Sequence, residues 1–436
     1  MKKTFWSHTL LIIGWLIGSI QLGWTEVRPG DVISDKNVTQ AEGLLTPATR
    51  WMVERGMPIQ IVKSKQVRLP AAYQEATDKY ADQVELSADG RELSHYVAGL
   101  PFPQIDINDP LAGFKIMWNY EQKPYDNVGS SVTLRLINNK GEVDRIFPDR
   151  WRRLKWTGRL WLDPKPTVPH TPALTYTDLL GPSPFPFPDA IGPAFLLSFR
   201  YLAPNAADDT YWYDPLSRRV GRITEMNRGA LVTSDVDFDS LWGFNAKVSF
   251  WTFRVLAEKE ILAIVHSGKY GDSSIWCSPQ DESRELLGAF PCAPWEKRRV
   301  WVVEGIPTRY LDQYPNYSKR ILYVDQEFFG ILMGEMYNLN GELWKYILSC
   351  FFYTRSPYDG FPTYPLEGGK YNYTEEWPFI PNGLMGDMQR NYVTTFDAPG
   401  GNTGHPEWQD EWYFNEDTSV NTPAIYDADF LLKSMR

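Results

Sequence analysis

Cysteine is nearly absent, with three in 436 residues. No Cys-x-x-Cys pair occurs, which argues against a structural zinc site and thioredoxin-type chemistry. Histidine is as scarce: beyond the first 25 residues there are only His95, His170, His266 and His405. Positive charge is in deficit as well. A net charge of −10 at pH 7 opposes general nucleic-acid binding, because attraction to phosphate needs an excess of Lys and Arg. Beyond residue 22 no stretch reaches the roughly 18 unbroken apolar residues that a spanning helix requires.

What is abundant is aromatic surface: 15% of the residues, including 18 Trp. Rings in that number, outside any low-complexity tract, point to extensive apolar surface lining a core or a cavity. At the N-terminus, Lys2 and Lys3 precede an apolar run over 10–22, too short to span comfortably and placed where the core of a secretory signal peptide belongs. Small residues near Gly23 and Thr25 offer cleavage sites, so residues 1–25 read as a signal peptide; the alternative is an uncleaved anchor helix. No cysteine stands there to carry a lipid anchor. Export to an oxidising compartment favours a bond between Cys277 and Cys292, closing a loop of about 15 residues worth roughly 3 kcal/mol in the chain-entropy model. Cys350, among Ile347, Leu348, Phe351 and Phe352, reads as a buried thiol.

Three regions follow the leader. Residues 26–100 read as partly helical, with helix spacing over 41–55, interrupted at Pro47, and over 71–84. Residues 101–360 alternate in short segments separated by turn residues, the pattern of antiparallel sheet. Asn138-Asn139-Lys140-Gly141 and Asn338-Leu339-Asn340-Gly341 each predict a hairpin. Further strands are expected over 211–213, 220–226, 250–255, 261–265, 300–304 and 320–324, many apolar on both phases and so covered on both faces. The proline-rich stretch 182–193 predicts a rigid extended loop. Residues 361–436, rich in Gly, Pro, Asn and aromatics, are expected to wrap the sheet as long ordered loops, one domain with 101–360.

No motif for catalysis converges. His405-Pro406-Glu407 with Asp410 and Glu411 offers metal ligands, but Pro406 spoils a helix and the spacing matches no zinc motif, so it reads as a solvated acidic loop. Gly400-Gly401-Asn402-Thr403-Gly404 lacks the Lys-Ser/Thr ending of a phosphate loop, and Gly271-Asp272-Ser273-Ser274 lacks a glycine-framed elbow. Asp235, Asp237 and Asp239 alternate as an exposed acidic strand end would, or as carboxylates that tune one another. Basic residues interleave with tryptophan at Arg150, Trp151, Arg152, Arg153, Lys155 and Trp156, and recur at Arg218, Arg219 and Arg222. They suit a rim facing anionic lipid headgroups, or strand faces paired with nearby acids.

The middle of the chain resembles a known family. Asp209-Thr210-Tyr211-Trp212-Tyr213-Asp214-Pro215, then Arg218-Arg219-Val220-Gly221-Arg222, is similar to a stretch of periplasmic outer-membrane lipoprotein-sorting proteins. Ser234 to Asp239, Arg299-Val300-Trp301, residues 319–325 and Tyr337 with Asn340-Gly341 and Lys345 follow at matching places. Met117-Trp118-Asn119 and the aromatic tail look like a large Gram-negative periplasmic family of unknown function within the LolA/LolB/LppX-like superfamily. The resemblance implies a mainly β (α+β) fold: a strongly curved antiparallel sheet, an incomplete barrel, with helices on its concave side and long ordered loops. It further implies lipid or other hydrophobic cargo and an efflux-type inner-membrane transporter as a partner. An outer-membrane protein is a further expected partner, and no cofactor is expected. The chain is about twice the length of the small carriers.

Strand phase and ring size select Trp118, Trp156, Trp161, Trp251, Phe253, Trp301 and Tyr323 as candidate cavity lining. The function this predicts is a periplasmic carrier or chaperone for a lipid-like ligand. Two rivals stand beside it: an extracytoplasmic hydrolase using Asp235 with Asp239 or His405 with Glu407, and a glycan-binding or envelope scaffold whose tryptophans form an open platform.

Overall fold

Two asparagines set the hairpins that organise the sheet. The Asn138 side-chain oxygen accepts from the N–H of Lys140 and Glu142 at 2.9 and 3.1 Å, and Asn338 does the same for Asn340 and Glu342 at 3.0 Å each. Each turn closes on a glycine at φ +78° or +80°, Gly141 and Gly341, where a side chain would be strained. Both predicted hairpins therefore form. The protein is seen here as a computed structural model, which describes residues 27–169, 174–183, 194–214, 219–223, 235–269, 273–277, 288–308, 317–354, 375–399, 412–418 and 420–426. The leader, the His405–Glu411 cluster, Arg218 and the Gly271–Asp272 pair lie outside those residues.

One fourteen-stranded antiparallel sheet dominates. Its first half is a meander of β1 (Asn127–Ile137), β2 (Val143–Lys155), β3 (Leu174–Ser183), β4 (Ala194–Tyr201), β5 (Asp209–Asp214) and β6 (Arg219–Ile223). Its second half is another: β7 (Trp251–Ala263), β8 (Glu296–Pro307), β9 (Lys319–Asp325), β10 (Ile331–Tyr337), β11 (Leu343–Thr354), β12 (Trp377–Asp387) and β13 (Tyr392–Asp397). The halves join where β13 pairs with residues 133–137 of β1, while β14 (Trp412–Phe414) pairs with residues 128–130 on the same edge. The free edges, β6 and β7, do not meet, so the sheet is strongly curved but not closed into a barrel. The fold class read from the sequence is the one found.

Several expectations change in detail. The strands predicted over 250–255 and 261–265 are one strand, β7, with an irregularity at Leu256. The tail is more than loops. It contributes β12, β13 and β14, without which the two meanders would not be joined. The helix expected over 41–55 breaks at its proline: a 3-10 stretch over Val38–Leu44 precedes α1 (Pro47–Glu54), with Pro47 in the first turn and the Thr46 hydroxyl accepting from Thr49 N–H. Proline suits that place because its missing N–H would be unpaired anyway. Helix α2 (Ala71–Tyr80) lies where expected. Helix α3 (Ala112–Glu121) was not foreseen; eight of its ten residues are buried, so it shows no amphipathic stripe.

Strand alternation explains the two layers. On β9, Ile321 and Tyr323 pack with Met52, Val53 and Ile59 of the N-terminal segment, while Leu322 and Val324 pack with Phe114, Ile116 and Phe244 on the opposite face. On β8, Val300 and Val302 split from Trp301 and Val303 in the same way. The sheet is thus buried on both sides, as its two-phase apolar strands require. Cys277 and Cys292 form a disulfide with Cα atoms 5.8 Å apart. Cys350 is buried and unbonded, and burial pushes its thiol pKa up.

Candidate functional site: an apolar cavity under the curved sheet

Curving the sheet brings distant strands around one space. Val128 and Ser130 of β1, Trp151 of β2, Ile331 of β10, Phe351 of β11, Trp377 and Phe379 of β12, and Trp412 and Phe414 of β14 form its sheet wall. Leu69, Tyr73 of α2, Leu100, Tyr120 of α3, Lys123, Tyr125 and Trp242 form the opposite wall. Counted out to its open mouth, the space is about 930 Å³.

The rings hold one another. Phe379 and Phe414 lie 4.5 Å apart, Phe328 and Phe351 5.0 Å, and Trp151 and Trp242 4.6 Å, centroid to centroid. Trp242 sits at φ +59° in a turn completed by Gly243 at φ +91°. A β-carbon on Gly243 would come 2.7 Å from Ile331, so the turn can press against β10 only with glycine there. Beyond the Trp151–Trp242 pair lies a second apolar space, lined by Leu134, Leu180, Ile347, Met385 and Phe396 with one carboxyl, Asp149. Desolvation pushes Asp149 up to about 7.

Polar groups near the main cavity are mostly occupied. Asn119 is spent on the backbone of Phe102, at 2.9 and 2.6 Å. The Tyr120 hydroxyl is shared between the carbonyls of Trp242 and Phe244, at 2.8 and 2.7 Å. Behind the wall a buried ionic network fixes its parts. Arg153 grips Asp178 with two bonds of 2.6 and 2.7 Å and donates to the Tyr125 hydroxyl at 3.0 Å. Arg200 bridges Glu121 at the end of α3 to Asp208, at 3.0 and 2.8 Å. Such a network is a poor source of net stability but leaves the wall one arrangement. Among the described residues the indole N–H groups of Trp242 and Trp377 find no hydrogen-bond partner, and Lys123 is likewise not engaged by an acid. Its ammonium lies 3.7 Å from the centroid of the Tyr120 ring, and desolvation lowers its pKa to about 7.

None of the seven rings selected from the sequence lines this cavity. Trp251, Phe253 and Trp301 pack in the layer beneath α3, and Trp118, partly buried, donates its indole N–H to Gly90 O at 2.9 Å. Trp156 meets Tyr426 in a separate cluster, and Tyr323 faces the N-terminal segment. Trp161 comes nearest, 4.8 Å from Trp377. Of the basic rim, Arg153 is buried in the network just described; Arg152 is half-buried, and Arg219 and Arg222 are exposed, the latter paired with Asp209. The Asp235–Asp239 run is not an exposed strand end: all three carboxylates are buried. Asp237 accepts from Tyr317, Ser240 and Arg320, and Asp235 from Arg390. Neither Asp235 nor Asp239 lines the cavity, so the carboxylate pair of a hydrolase does not face it. Among the described residues no His/Cys/Asp/Glu group of three or more could hold a metal ion, and no helix is long and apolar enough to cross a membrane.

The architecture is thus an open, curved β-sheet with an apolar space beneath helices. The chain belongs to the family described as "Protein of unknown function (DUF1329)", which it matches over residues 32–423. It is 24% identical over 331 residues to an uncharacterized protein of Pseudomonas aeruginosa, covering 73% of this chain and 68% of that one. Among solved structures it is similar to a domain from Vibrio parahaemolyticus named for outer membrane lipoprotein sorting, with a TM-score of 0.45 and 15% identity over 73% of this chain and 98% of that chain. A DUF1329 family protein from Desulfovibrio piger gives 0.44 and 13% identity over 75% and 100%.

Proposed function

We propose that the protein is a periplasmic carrier or chaperone that holds a lipid-like ligand in the cavity between the curved sheet and helices α2 and α3, in envelope lipid or lipoprotein transport. The observation that carries this reading is the aromatic lining. Removing an alkyl chain from water is worth about 0.8 kcal/mol per methylene. Rings already locked against one another lose little freedom when a ligand enters. The exported location rests on the leader-like residues 1–25, and the proposed partners are an efflux-type inner-membrane transporter and an outer-membrane protein. A hydrolase is less well supported, since Asp235 and Asp239 do not line the cavity and Asp235 is paired with Arg390.

The test is binding of a neutral apolar fluorophore such as Nile red. The wild-type chain should bind it with a blue-shifted emission. Ile380→Arg, which places a charge at a half-buried lining position, should reduce binding at least tenfold while the thermal melt stays cooperative. Equal binding by both proteins would remove the cavity as the site.

A further inference from the structure

Among the described residues that line the cavity, Lys123 is the one cation. Lys123 lies two residues beyond the end of α3, and its backbone is held: its carbonyl accepts from Tyr125 N–H at 2.9 Å and from the Lys155 ammonium at 3.1 Å. Its own ammonium sits over the face of Tyr120. Among the described residues no carboxylate lies within ion-pair distance of it. The two nearby acids are already committed, Glu121 to Arg200 and Asp178 to Arg153. Lys123 is half-buried on the cavity wall, so its ammonium keeps some water, and a ligand anion there would give it a charge partner in its place.

We propose that Lys123 is the headgroup anchor of the cavity, selecting amphiphiles that carry one anionic group, a carboxylate or a phosphate, at the end of an apolar chain. This rests on the carrier reading and adds the ligand class to it. The chain would lie among Trp151, Phe351, Phe379 and Trp412, and the anion would meet the ammonium near Tyr120 and Tyr125. The Tyr125 hydroxyl, accepting from Arg153, keeps its own hydrogen to donate to the same anion. The depressed Lys123 pKa is consistent with this, because a bound anion restores the charged form that desolvation opposes.

The experiment compares oleate with oleyl alcohol, which share a chain and differ in charge, on the full chain at one pH and ionic strength. Wild-type protein should bind oleate at least tenfold more tightly than the alcohol. Lys123→Met should erase that preference by weakening oleate and leaving the alcohol unchanged, and Lys123→Arg should retain it. Lysophosphatidic acid should compete with oleate, whereas inorganic phosphate at millimolar concentration should not; displacement by phosphate alone would mark a free-anion site and overturn the headgroup role. Equal wild-type affinity for acid and alcohol overturns the proposal without any variant and leaves the carrier reading standing. Absence of binding by every amphiphile, the alcohol included, overturns both.

Discussion

Replacing Gly113 with alanine sets two effects of known size against each other. Gly113 is the second residue of α3, and alanine is the better helix former by about 0.8–1.0 kcal/mol. Helix propensity alone therefore predicts a more stable protein. The packing predicts the opposite. A β-carbon at Gly113 would stand 2.7 Å from the carbonyl carbon of Phe253, 2.8 Å from its oxygen and 2.8 Å from the nitrogen of Arg254. These are main-chain atoms of β7, held in register against Gly305 and Glu304 of β8, so no side chain can turn aside. Carbon atoms rest at about 3.5–4.0 Å, which requires α3 to retreat by roughly 0.7 Å or more. Overpacking of that kind costs about 1–3 kcal/mol, so the helix-propensity gain is cancelled or outweighed and the net effect runs from about zero to a loss of about 2 kcal/mol. Because α3 carries Tyr120 and leads into Lys123, ligand binding should weaken as well. The assay is the urea midpoint by tryptophan fluorescence, with Gly43→Ala as control. Gly43 is an exposed position in the 3-10 stretch, with nothing within 4 Å of where a β-carbon would stand, and there the change should be neutral or stabilising. A Gly113→Ala protein more stable than wild type by the roughly 0.8–1.0 kcal/mol that helix propensity alone supplies would refute the close seating of α3 on β7.

Two further outcomes are expected. Glu335 is fully buried and ties the N-terminal segment to β10: it accepts from Ala48 N–H at 2.8 Å and from the hydroxyls of Tyr323 and Tyr337 at 3.3 and 3.4 Å. Glu335→Ala strands those donors and should cost about 1–3 kcal/mol, with faster hydrogen exchange over residues 47–54; unchanged exchange there would show that the tether is not needed. Asp149 has its pKa raised from the usual 3.8 to about 7 by desolvation, so between those values the folded chain holds a proton that the unfolded chain has lost. Its contribution to stability is full below about pH 4 and is lost as pH rises through about 7. Asp149→Asn should flatten that part of the stability–pH curve, and an unaltered slope would contradict the assignment.

Much of the frame could be read from local chemistry. The Asn-to-Gly turns, the bond between Cys277 and Cys292 and the two-sided burial of the strands depend on neighbours in sequence or on periodicity. The cavity does not. Tyr73, Val128, Trp151, Phe351, Phe379 and Trp412 converge only because β14 and β13 share one edge of β1, a pairing that no local pattern encodes. Strand phase and ring size found large buried rings, but the same properties describe ordinary core, which is where Trp251, Phe253 and Trp301 lie. Arg153 read as rim because its partner is remote in sequence; register places it directly opposite Asp178 on the next strand. Helix α3 was hidden by burial on nearly every side, and Lys123 by carrying no motif at all.

The central claim is that the aromatic space holds an apolar ligand. Native mass spectrometry with organic extraction, on protein purified gently without denaturant, addresses it most directly. A co-purifying lipid or other apolar molecule at near-stoichiometric amount is the predicted result, and it would also reveal whether the cargo carries an anionic head. An empty protein that also fails to take up apolar probes would contradict the account.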